Sequence, residues 1–448
     1  MERAAIILAA GQGTRMKSSL PKVLHRIAGR AMLDWSIELA RQVGCSRIVT
    51  VISPNSPALQ AHVEDVLGPD AIAVQDPPLG TAHAVMAAED QLKGFSGDVI
   101  VLYGDTPLIP AGAVEDLFAR LEEGAAVGVL GFRAGDPGAY GRLVTSAEGH
   151  LEAIVEAKDA SPAQLKIDLC NSGVMAVRAE RLFRLLSKVD NDNKKGEYYL
   201  TDIVALAREE GSTCGAVTCQ EQDTLGVNSR AELAEAERAF QTRRRQELLL
   251  SGVTLTAPET VFVSHDTIVD PDVVIEPNVV FGPGVHVRSG AVIRAFSHLE
   301  GADVEEGAEI GPYARLRPGA VIGKGAKIGN FVEVKKTRVG PGAKANHLAY
   351  LGDGEVGANA NIGAGTIFCN YDGFLKYMTR IGANAFIGSN SALVAPVSIG
   401  AGAIVGSGSV IVEDVADDAL ALGRGRQVQK DGWATDFRAR KSAEKAGK

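Results

Sequence analysis

The sequence predicts an α/β protein with two unlike halves, a mostly parallel sheet covered by helices and then a left-handed parallel β-helix. Short apolar runs alternate with helical stretches up to about residue 228, which is typical of βαβ units. From about residue 253 an aliphatic residue recurs every six positions, which is typical of a β-helix. We therefore predict a first domain over 1–228, a linker helix over 229–252, and a β-helix domain with a C-terminal tail over 253–448.

The composition excludes several classes of protein. The 448 residues carry 46 Lys and Arg against 55 Asp and Glu, and the net charge of −9 argues against a general nucleic-acid binder. No apolar run approaches the roughly 18 residues of a membrane span, and the run Ala4–Ala10 is too short for a signal peptide. The five cysteines show no paired C-x-x-C spacing. We expect a cytoplasmic protein with small-molecule partners.

Alternating strands and helices define the first half. The predicted strands are Ala4–Ala9, Arg47–Ile52, Ala71–Val74 and Asp98–Leu102, and the predicted helices are Leu33–Val43, Ser56–Leu67 and Thr81–Leu92. Ligands of such sheets bind at the carboxyl ends of the strands. The linker begins with Ser229-Arg-Ala-Glu232, which fits a capping box, and the helix reaches about Leu250 before Gly252.

The β-helix prediction depends on a period that persists over 140 residues. The repeated apolar positions are 269, 275, 281, 287, 293, 299, 304, 310, 316, 322, 328, 334, 339, 345, 351, 356, 362, 368, 381, 387, 393, 399, 405 and 411. Three hexads make one triangular coil, so these 24 positions predict about eight coils. The repeat is interrupted between Phe368 and Ile381, where Asn370-Tyr371-Asp372-Gly373 must loop out, and such loops often carry function.

A glycine-rich loop follows the first predicted strand. It reads Leu8-Ala-Ala-Gly11-Gln-Gly13-Thr-Arg15-Met16, with Pro21-Lys22 shortly after. Backbone N–H groups there can approach phosphate oxygens, and Arg15 and Lys22 can neutralise them. A dinucleotide fingerprint would need glycine where Met16 stands, and the spacing of a P-loop is absent. Asp105 ends a buried parallel strand nearby, which favours a Mg²⁺ site.

These motifs are similar to those of sugar-phosphate nucleotidyltransferases. Further landmarks are Leu79-Gly-Thr81-Ala-His83, Tyr103-Gly-Asp105, Tyr140-Gly-Arg142, Val155-Glu156-Ala-Lys158-Asp159, Asn171-Ser-Gly173, Gly196-Glu-Tyr-Tyr-Leu-Thr-Asp202 and Gly226-Val-Asn228. Together with the β-helix they resemble the bacterial bifunctional N-acetylglucosamine-1-phosphate uridylyltransferase/glucosamine-1-phosphate N-acetyltransferase family. The resemblance covers nearly the whole chain, and it implies a Rossmann-like nucleotidyltransferase domain.

The resemblance implies roles for residues of the first site. Asp105 and Asn228 would hold Mg²⁺, and Lys22 and Arg15 would neutralise charge during uridylyl transfer from UTP. The residues expected to bind the nucleotide and the sugar are Leu8, Ala9, Ala10, Gly11, Lys22, Gln75, Gly80, Thr81, Tyr103, Gly104, Gly141, Glu156, Asn171 and Asn228.

A second cluster lies in the β-helix, where polar residues depart from the small and aliphatic pattern. Arg317 and Lys335 are 18 residues apart, one full coil, and can stack as a phosphate-binding pair. Acyl transfer to an amine needs a base, which a neutral histidine supplies near pH 7. Four histidines lie in this half, and His347 stands out by its polar neighbours.

The resemblance implies that His347 is this base and that acetyl-CoA is the donor. The implied acceptor-binding residues are Arg317, Lys335, Tyr350, Asn361 and Lys376, and the implied acetyl-CoA-binding residues are Ala364, Asn370, Tyr371, Ser389, Ser407 and Arg424. Ser407 and the run Gly423–Gln427 depart from the family pattern. Residues 424–448, with eight Lys or Arg and three Asp or Glu, form either a solvated tail or a contact for coenzyme phosphates.

The family further implies a homotrimer that makes UDP-N-acetylglucosamine for peptidoglycan and lipopolysaccharide synthesis, with acetylation preceding uridylyl transfer. Two alternatives remain at the level of the sequence. One is an enzyme with only the nucleotidyl reaction, whose β-helix serves assembly or regulation. The other is a non-catalytic subunit that binds nucleotide-sugars. The cluster of His347, Arg317 and Lys335 argues against the first, and Lys22, Asp105 and Asn228 argue against the second.

Overall fold

The computed structural model describes residues 1–147 and 149–447, and the chain divides into two compact units, Met1–Gln246 and Glu247–Lys448. Lys448, the last residue of the predicted basic tail, lies outside the described residues. The helices of the chain are α1 (Met32–Gln42), α2 (Pro57–Leu67), α3 (Thr81–Met86), α4 (Ala111–Glu122), α5 (Ala179–Leu186), α6 (Asp202–Glu209), α7 (Arg230–Leu250) and α8 (Trp433–Ala446).

The first unit is built on one sheet and a short hairpin. Its strands are β1 (Arg3–Leu8), β2 (Arg26–Ile27), β3 (Arg30–Ala31), β4 (Cys45–Ile52), β5 (Ile72–Val74), β6 (Asp98–Tyr103), β7 (Val127–Arg133), β8 (Arg142–Thr145), β9 (Leu151–Val155), β10 (Leu169–Arg178) and β11 (Cys214–Cys219). The sheet order is β11-β7-β10-β6-β1-β4-β5, with β8 and β9 attached beside β10. Only β10 on this path runs antiparallel to its neighbours.

Both faces of this sheet are covered. Along β1 the side chains of Ala4 and Ile6 join one buried cluster, and those of Ala5 and Ile7 join the other. Alternate residues of a strand point to opposite faces, so this apolar run is buried on both sides, as the sequence predicts for a parallel strand. The strands β1, β4, β5 and β6 run parallel, and their carboxyl ends share one edge.

One predicted helix is shorter than expected. The prediction of a helix over Thr81–Leu92 was wrong beyond Met86, where α3 ends and a separate 3₁₀ turn follows at Asp90–Leu92. The N–H groups of Ala88 and Glu89 bond three residues back, to Val85 and Met86, which tightens the chain. This local geometry buries Ala88 and Leu92 in the core.

Helix α7 begins with the capping box in an altered form. The N–H of Glu232 donates to the hydroxyl of Ser229 (3.3 Å), as in the usual motif. The Glu232 carboxylate accepts from the N–H of Asn228 (2.7 Å), one residue earlier than the usual motif requires. The start of the helix therefore fixes the backbone of Asn228.

The second unit is a parallel β-helix of short strands. They are β12 (Thr254–Leu255), β13 (Ile268–Val269), β14 (Val274–Ile275), β15 (Val280–Phe281), β16 (His286–Val287), β17 (Val292–Ile293), β18 (His298–Leu299), β19 (Ala302–Val304), β20 (Glu309–Ile310), β21 (Arg315–Leu316), β22 (Ala320–Ile322), β23 (Lys327–Asn330), β24 (Glu333–Val339), β25 (Lys344–His347), β26 (Tyr350–Val356), β27 (Asn361–Ile362), β28 (Ile367–Cys369), β29 (Thr379–Ile381), β30 (Phe386–Ile387), β31 (Ala392–Val394), β32 (Val397–Ile399), β33 (Ile404–Val405), β34 (Val410–Ile411) and β35 (Leu420–Ala421).

These strands form three faces. Face 1 is the sheet β12-β14-β17-β20-β23-β25-β27-β30-β33-β35. Face 2 consists of β15, β18, β21, β28, β31 and β34, together with the first halves of β24 and β26. Face 3 consists of β13, β16, β19, β22, β29 and β32, together with the second halves of β24 and β26. We name the bend between faces 1 and 2 the first corner, and that between faces 2 and 3 the second corner.

The hexad prediction is confirmed position by position, because every one of the 24 predicted apolar residues is buried. Their side chains fill the inside of the prism, as in the left-handed hexapeptide type. The prediction that the chain leaves the coil after Phe368 is also confirmed, since residues 370–378 separate β28 from β29.

The first corner carries an exposed apolar ladder formed by Phe296, Tyr313, Phe331 and Leu348. Each is about half exposed, and each has a positive φ between 51° and 60°. The rings of Phe296 and Tyr313 stack at 4.8 Å, and those of Tyr313 and Phe331 at 5.3 Å. A left-handed backbone costs an ordinary residue about 1–2 kcal/mol, so this ladder carries strain as well as exposed apolar surface.

The C-terminal segment is exposed throughout its described part. Helix α8 buries none of its residues, and Trp433 stacks on Phe437 at 5.1 Å. Among the described residues, no helix has both the length and the apolar character needed to cross a membrane.

Candidate active sites

A cavity of about 450 Å³ opens at the carboxyl edge of the first unit's sheet. Most of its lining residues come from the ends of β1, β5 and β6, the start of α3 and the segment before α6, and the turn at Lys22, the end of β9 and strand β10 add the others. They are Leu8, Ala9, Ala10, Gly11, Lys22, Val23, Gln75, Pro78, Gly80, Thr81, Ala84, Tyr103, Asp105, Glu156, Asn171, Lys195, Glu197, Tyr199 and Thr201. This volume is within the usual range for a small-molecule site.

Two oxygen-bearing side chains are brought together beside this cavity. Asp105 follows β6, and its carbonyl accepts a hydrogen bond from the N–H of Val227 (2.9 Å). Asn228 is the next residue, and the start of α7 fixes its backbone through Glu232. The strand end and the helix start therefore set the spacing of Asp105 and Asn228, which are far apart in the sequence.

Lys22 lies between these two side chains. Its ammonium donates to the Asp105 carboxylate and to Oδ1 of Asn228, at 3.0 Å for the latter. The Lys22 side chain is only 9% exposed. Its stem passes so close to Gly13 that a Cβ at Gly13 would lie 2.6 Å from Cβ of Lys22. Glycine is therefore required at position 13, where φ is also positive, for Lys22 to reach the site.

The donor set suits a magnesium ion that is shared with a nucleotide. Mg²⁺ prefers oxygen ligands and is commonly held by one or two protein groups together with phosphate oxygens and waters. Asp105 and Asn228 offer one carboxylate and one amide oxygen. Within residues 1–147 and 149–447 there is no cluster of three or more His, Cys, Asp or Glu that could hold a metal ion alone. The residues present therefore fit a metal whose other ligands come from substrate.

The far end of the cavity is acidic and partly buried. Burial raises the pKa of Glu156, although the nearby Lys195 ammonium opposes the shift. The N–H of Asn171 donates to the carbonyl of Gly141 (2.8 Å), and a Cβ on Gly141 would lie 3.5 Å from Oε1 of Glu156. Gly141, Glu156 and Asn171 are thus neighbours, as the predicted sugar site requires.

Residues 196–202 pack beside the predicted nucleotide-binding residues Gln75, Gly80 and Thr81. The amide nitrogen of Gln75 donates to the carbonyl of Gly80 (2.9 Å), which holds the amide in place. A Cβ on Gly80 would lie 2.4 Å from the carbonyl oxygen of Tyr198, so only glycine fits at position 80. The hydroxyl of Thr81 accepts from the N–H of Leu200 (3.0 Å). The motif Gly196–Asp202 is therefore packed against the start of α3.

Sequence reasoning left some lining residues without a role. Lys195, Glu197, Tyr199 and Thr201 line the cavity, and three of them belong to the motif Gly196–Asp202. Conversely, Arg15 is exposed on the 3₁₀ turn Thr14–Met16 and is not among the lining residues. Gly104, Gly141 and Asn228 adjoin the cavity without lining it.

In the second unit, His347 is oriented by a residue that the sequence had not pointed to. Nδ1 of His347 lies 2.6 Å from Oδ1 of Asn330, its register partner on the preceding coil of face 1. Because an amide oxygen only accepts, Nδ1 carries the proton, and Nε2 of the neutral ring is left with a lone pair. A cavity of about 370 Å³ adjoins the pair and includes Arg294, Glu309 and Lys327 in its lining. The signal for Asn330 was its distance of one coil from His347.

The predicted phosphate-binding cations lie elsewhere, at the second corner. Arg317 donates to Glu333 at 2.7 Å. The contact with the Lys376 ammonium is the main reason that the pKa of Lys335 is lowered. The ring of Tyr350 lies against Gly352, the register partner of Lys335. Arg317, Lys335, Tyr350 and Lys376 thus gather at face 2 and the second corner, whereas His347 and Asn361 are on face 1.

The predicted coenzyme residues also divide between two corners. Ala364, Ser389 and Ser407 lie on successive coils at the first corner, where the carbonyls of Ala364 and Ser389 accept from the N–H groups of Asn390 (2.7 Å) and Gly408 (2.8 Å). Arg424 donates to the carbonyl of Ser407 (2.6 Å). Asn370 and Tyr371 belong to the loop at the second corner, where the Asn370 amide donates to Asp353 (2.5 Å).

Comparison with known proteins agrees with both halves of this description. Residues 5–194 match the MobA-like NTP transferase domain, and residues 301–336 and 378–413 match the bacterial transferase hexapeptide family. The chain is 64% identical over 447 residues to the bifunctional protein GlmU of Hyphomonas neptunium, covering 100% of this chain and 97% of that protein. It is 62% identical to that of Maricaulis maris, covering 100% and 98%, and 59% identical to that of Caulobacter vibrioides, covering 99% and 96%.

The chain belongs to the GlmU family. The family prediction and the fold prediction are confirmed, and the chain is a bifunctional transferase with a nucleotidyltransferase half and a hexapeptide-repeat half. A non-catalytic nucleotide-sugar subunit is therefore excluded as an interpretation.

Proposed function

We propose that this GlmU family member makes UDP-N-acetylglucosamine in two steps, first acetylating glucosamine-1-phosphate with acetyl-CoA and then transferring a uridylyl group from UTP. The observation that carries this proposal is that one chain holds both a cavity where Lys22 contacts two oxygen donors and a histidine whose Nδ1 lies against an amide oxygen. These are the two kinds of site that the two reactions need.

The acetyl transfer follows from the orientation of His347. Nε2 of His347 accepts a proton from the amine of the sugar phosphate, and the amine nitrogen forms a bond to the thioester carbonyl carbon. The C–S bond then breaks, and the coenzyme leaves as a thiol after it takes up the proton. Asn330 holds the ring in the tautomer that this transfer requires, through its 2.6 Å contact with Nδ1.

The cations of the second corner are suited to the phosphate of the acceptor. Lys335 and Lys376 are in contact, and two ammonium groups in contact repel each other unless an anion lies between them. Arg317 adds a planar donor that can bind two phosphate oxygens. Tyr350 and Asn361 would contact the sugar.

The uridylyl transfer depends on positioning and charge. An oxygen of the sugar-1-phosphate attacks the α-phosphorus of UTP, and the bond from that phosphorus to the leaving pyrophosphate breaks. Lys22 in the cavity, and Arg15, exposed on the turn Thr14–Met16 that ends the glycine-rich loop, neutralise the charge that develops. Glu156 and Asn171 hold the sugar, and Gln75 holds the uracil ring. Mg²⁺ held by Asp105 and Asn228 would supply further charge stabilisation to the phosphates.

We also propose that the protein is a homotrimer in which neighbouring copies share the acetyl-transfer site. The support is the separation of His347 and Asn361, on face 1, from Arg317, Lys335 and Lys376, at the second corner. A cyclic arrangement brings face 1 of one copy towards face 2 of the next. The apolar ladder lies on the corner between these two faces, and exposed apolar surface of this kind marks protein contacts. Because acetyl-CoA and UTP, the two group donors, are intracellular metabolites, we place the enzyme in the cytoplasm.

A coupled assay tests the proposed reactions. The full-length protein is given glucosamine-1-phosphate, acetyl-CoA, UTP and Mg²⁺, and free thiol and pyrophosphate are measured together. We expect both products, with pyrophosphate appearing after thiol. If glucosamine-1-phosphate gives neither thiol nor pyrophosphate, while N-acetylglucosamine-1-phosphate supplied in its place gives pyrophosphate, the alternative in which the β-helix serves only assembly would be favoured.

A further inference from the structure

Lys22 occupies the space between the two side chains that the proposed function assigns to the metal. Its ammonium contacts both the Asp105 carboxylate and Oδ1 of Asn228. The Lys22 side chain is 9% exposed and that of Asp105 21% exposed, so water screens this cluster only in part. In the protein without substrate, the Lys22 ammonium therefore supplies the positive charge between these two oxygens.

A divalent cation cannot join this arrangement without displacing Lys22. An ion held by both oxygens would lie within a few ångströms of the ammonium, and two positive charges at that distance repel strongly where water is partly excluded. The lone pairs of Asp105 and Asn228 that face Lys22 are also the ones a shared metal would use.

A phosphate bound in the cavity would give Lys22 a second partner. Its side chain lines the same cavity as Ala10 and Gly11, where backbone N–H groups are available to phosphate oxygens. The four-carbon stem rotates freely about single bonds, so the ammonium can move from Asp105 to a phosphate without leaving the cavity. A triphosphate therefore gives Lys22 a new anionic partner at the moment it releases the two oxygens.

We propose that Lys22 is a displaceable counter-ion that makes metal binding depend on the nucleotide. This inference rests on the proposed function of the first site and adds the order of events there. A divalent cation alone binds weakly because it must compete with Lys22. Nucleotide removes the competitor, so nucleotide and metal strengthen each other's binding by the same factor. Lys22 acts here as a positioning residue, in addition to its contact with phosphate.

Binding of Mn²⁺ alone to the full-length protein tests this proposal, with free Mn²⁺ measured by electron paramagnetic resonance. Lys22→Met removes the charge and should bind Mn²⁺ at least about tenfold more tightly than the wild type, because the competitor is gone. Lys22→Gln is the second neutral variant, in case the methionine disturbs the fold. Lys22→Arg keeps the charge and should bind as weakly as the wild type, as should Lys17→Met, which changes an exposed lysine of the same loop.

Adding Asp105→Asn to Lys22→Met should abolish the gain, which would locate the ion. A wild-type thermal shift gives a measurement without a variant: Mg²⁺ with UTP should raise the Tm by more than the sum of the shifts from each alone. Equal Mn²⁺ affinity in the wild type and both neutral variants would overturn the proposal, while Mg²⁺-dependent uridylyl transfer by the wild type would still support the proposed function. Absence of that transfer would instead contradict the proposed function.

Discussion

The two candidate sites differ in how closely a single chain brings their predicted residues together. In the first unit, the loop after β1, the strand end at Asp105 and the start of α7 bring Lys22, Asp105 and Asn228 into contact. In the second unit, His347 is on face 1, while Arg317 and Lys335 are at the second corner. The carboxyl edge of the α/β sheet holds a cavity within one chain, whereas the outside of a prism is convex, and we propose that a second copy completes its site. The difference predicts which substitutions act within one copy and which depend on a neighbour.

The largest effects should come from substituting the proposed metal ligand Asp105 and the proposed base His347. Asp105→Ala removes a proposed metal ligand and should lower uridylyl transfer at least about 100-fold, with acetyl transfer retained. His347→Ala removes the proposed base and should lower acetyl transfer at least about 100-fold, with uridylyl transfer retained. Pyrophosphate and thiol release measure the two activities separately. Loss of both activities in either folded variant would contradict independent sites.

Mixed assemblies test whether the second site is shared. A protein that contains only the His347→Ala chain, or only the Lys335→Ala chain, is expected to lose acetyl transfer, because each substitution removes one side of the site. Random mixed trimers from equal amounts of the two chains should regain about a quarter of the wild-type rate, since a site needs an intact face from each of two copies. Thiol release after co-expression with two different tags measures this recovery. Mixtures as inactive as the single variants would show that each site is built from one copy.

The apolar ladder tests the same contact by a smaller change. Phe331→Asp and Leu348→Asp place charges on the first corner and should weaken self-association by at least about tenfold, and acetyl transfer should fall with it. Uridylyl transfer should be unaffected, because its residues lie in the other unit. Ile268→Asp on face 3 is the matched control, since Ile268 is also about half exposed. Sedimentation measures the assembly. An unchanged assembly in both ladder variants would remove the ladder from the interface.

The smallest expected effect concerns pH. Burial, with smaller contributions from Asp190 and Glu156, raises the pKa of Asp202 to about 6. A raised carboxyl pKa favours the protonated form in the folded state, so this group lowers stability as the pH rises from about 4 to about 6. Asp202→Asn removes that loss and should raise the Tm by a few degrees at pH 7.5 but little at pH 4. Thermal unfolding at both pH values checks this. An equal change at both would assign the effect to packing.

The sequence predicted most of the β-helix and part of the sites. Strands β12 and β35 of face 1 extend the β-helix beyond the 24 predicted positions. The hexads are strictly periodic, and each buried position has only one inward direction, so all 24 could be found from spacing. The helix over Thr81–Leu92 was predicted too long because the switch to 3₁₀ geometry depends on core packing around Leu92. Asn330 was missed because a polar residue at a strand end is common, and only its register with His347 gives it meaning.

The spacing of the sequence already indicates that His347 lies on a different side of the prism from Arg317 and Lys335. Arg317 and Lys335 differ by 18 residues, three hexads, which returns the chain to the same side. Lys335 and His347 differ by 12 residues, two hexads, which does not. Neighbouring motif residues can therefore lie on different faces, and only the phase of the repeat separates them.

The stacking of coils also sets a scale of length. Neighbouring parallel strands are about 4.8 Å apart, so each coil advances the surface by that step. Ala364, Ser389 and Ser407 lie on three successive coils above that of His347. The first corner therefore presents its residues at regular intervals, and a long, narrow molecule lying along it would span a whole number of coils between His347 and Arg424. Removing the coil that carries Ser389 would shorten this distance by one strand spacing and leave the ligand's far end without its contact.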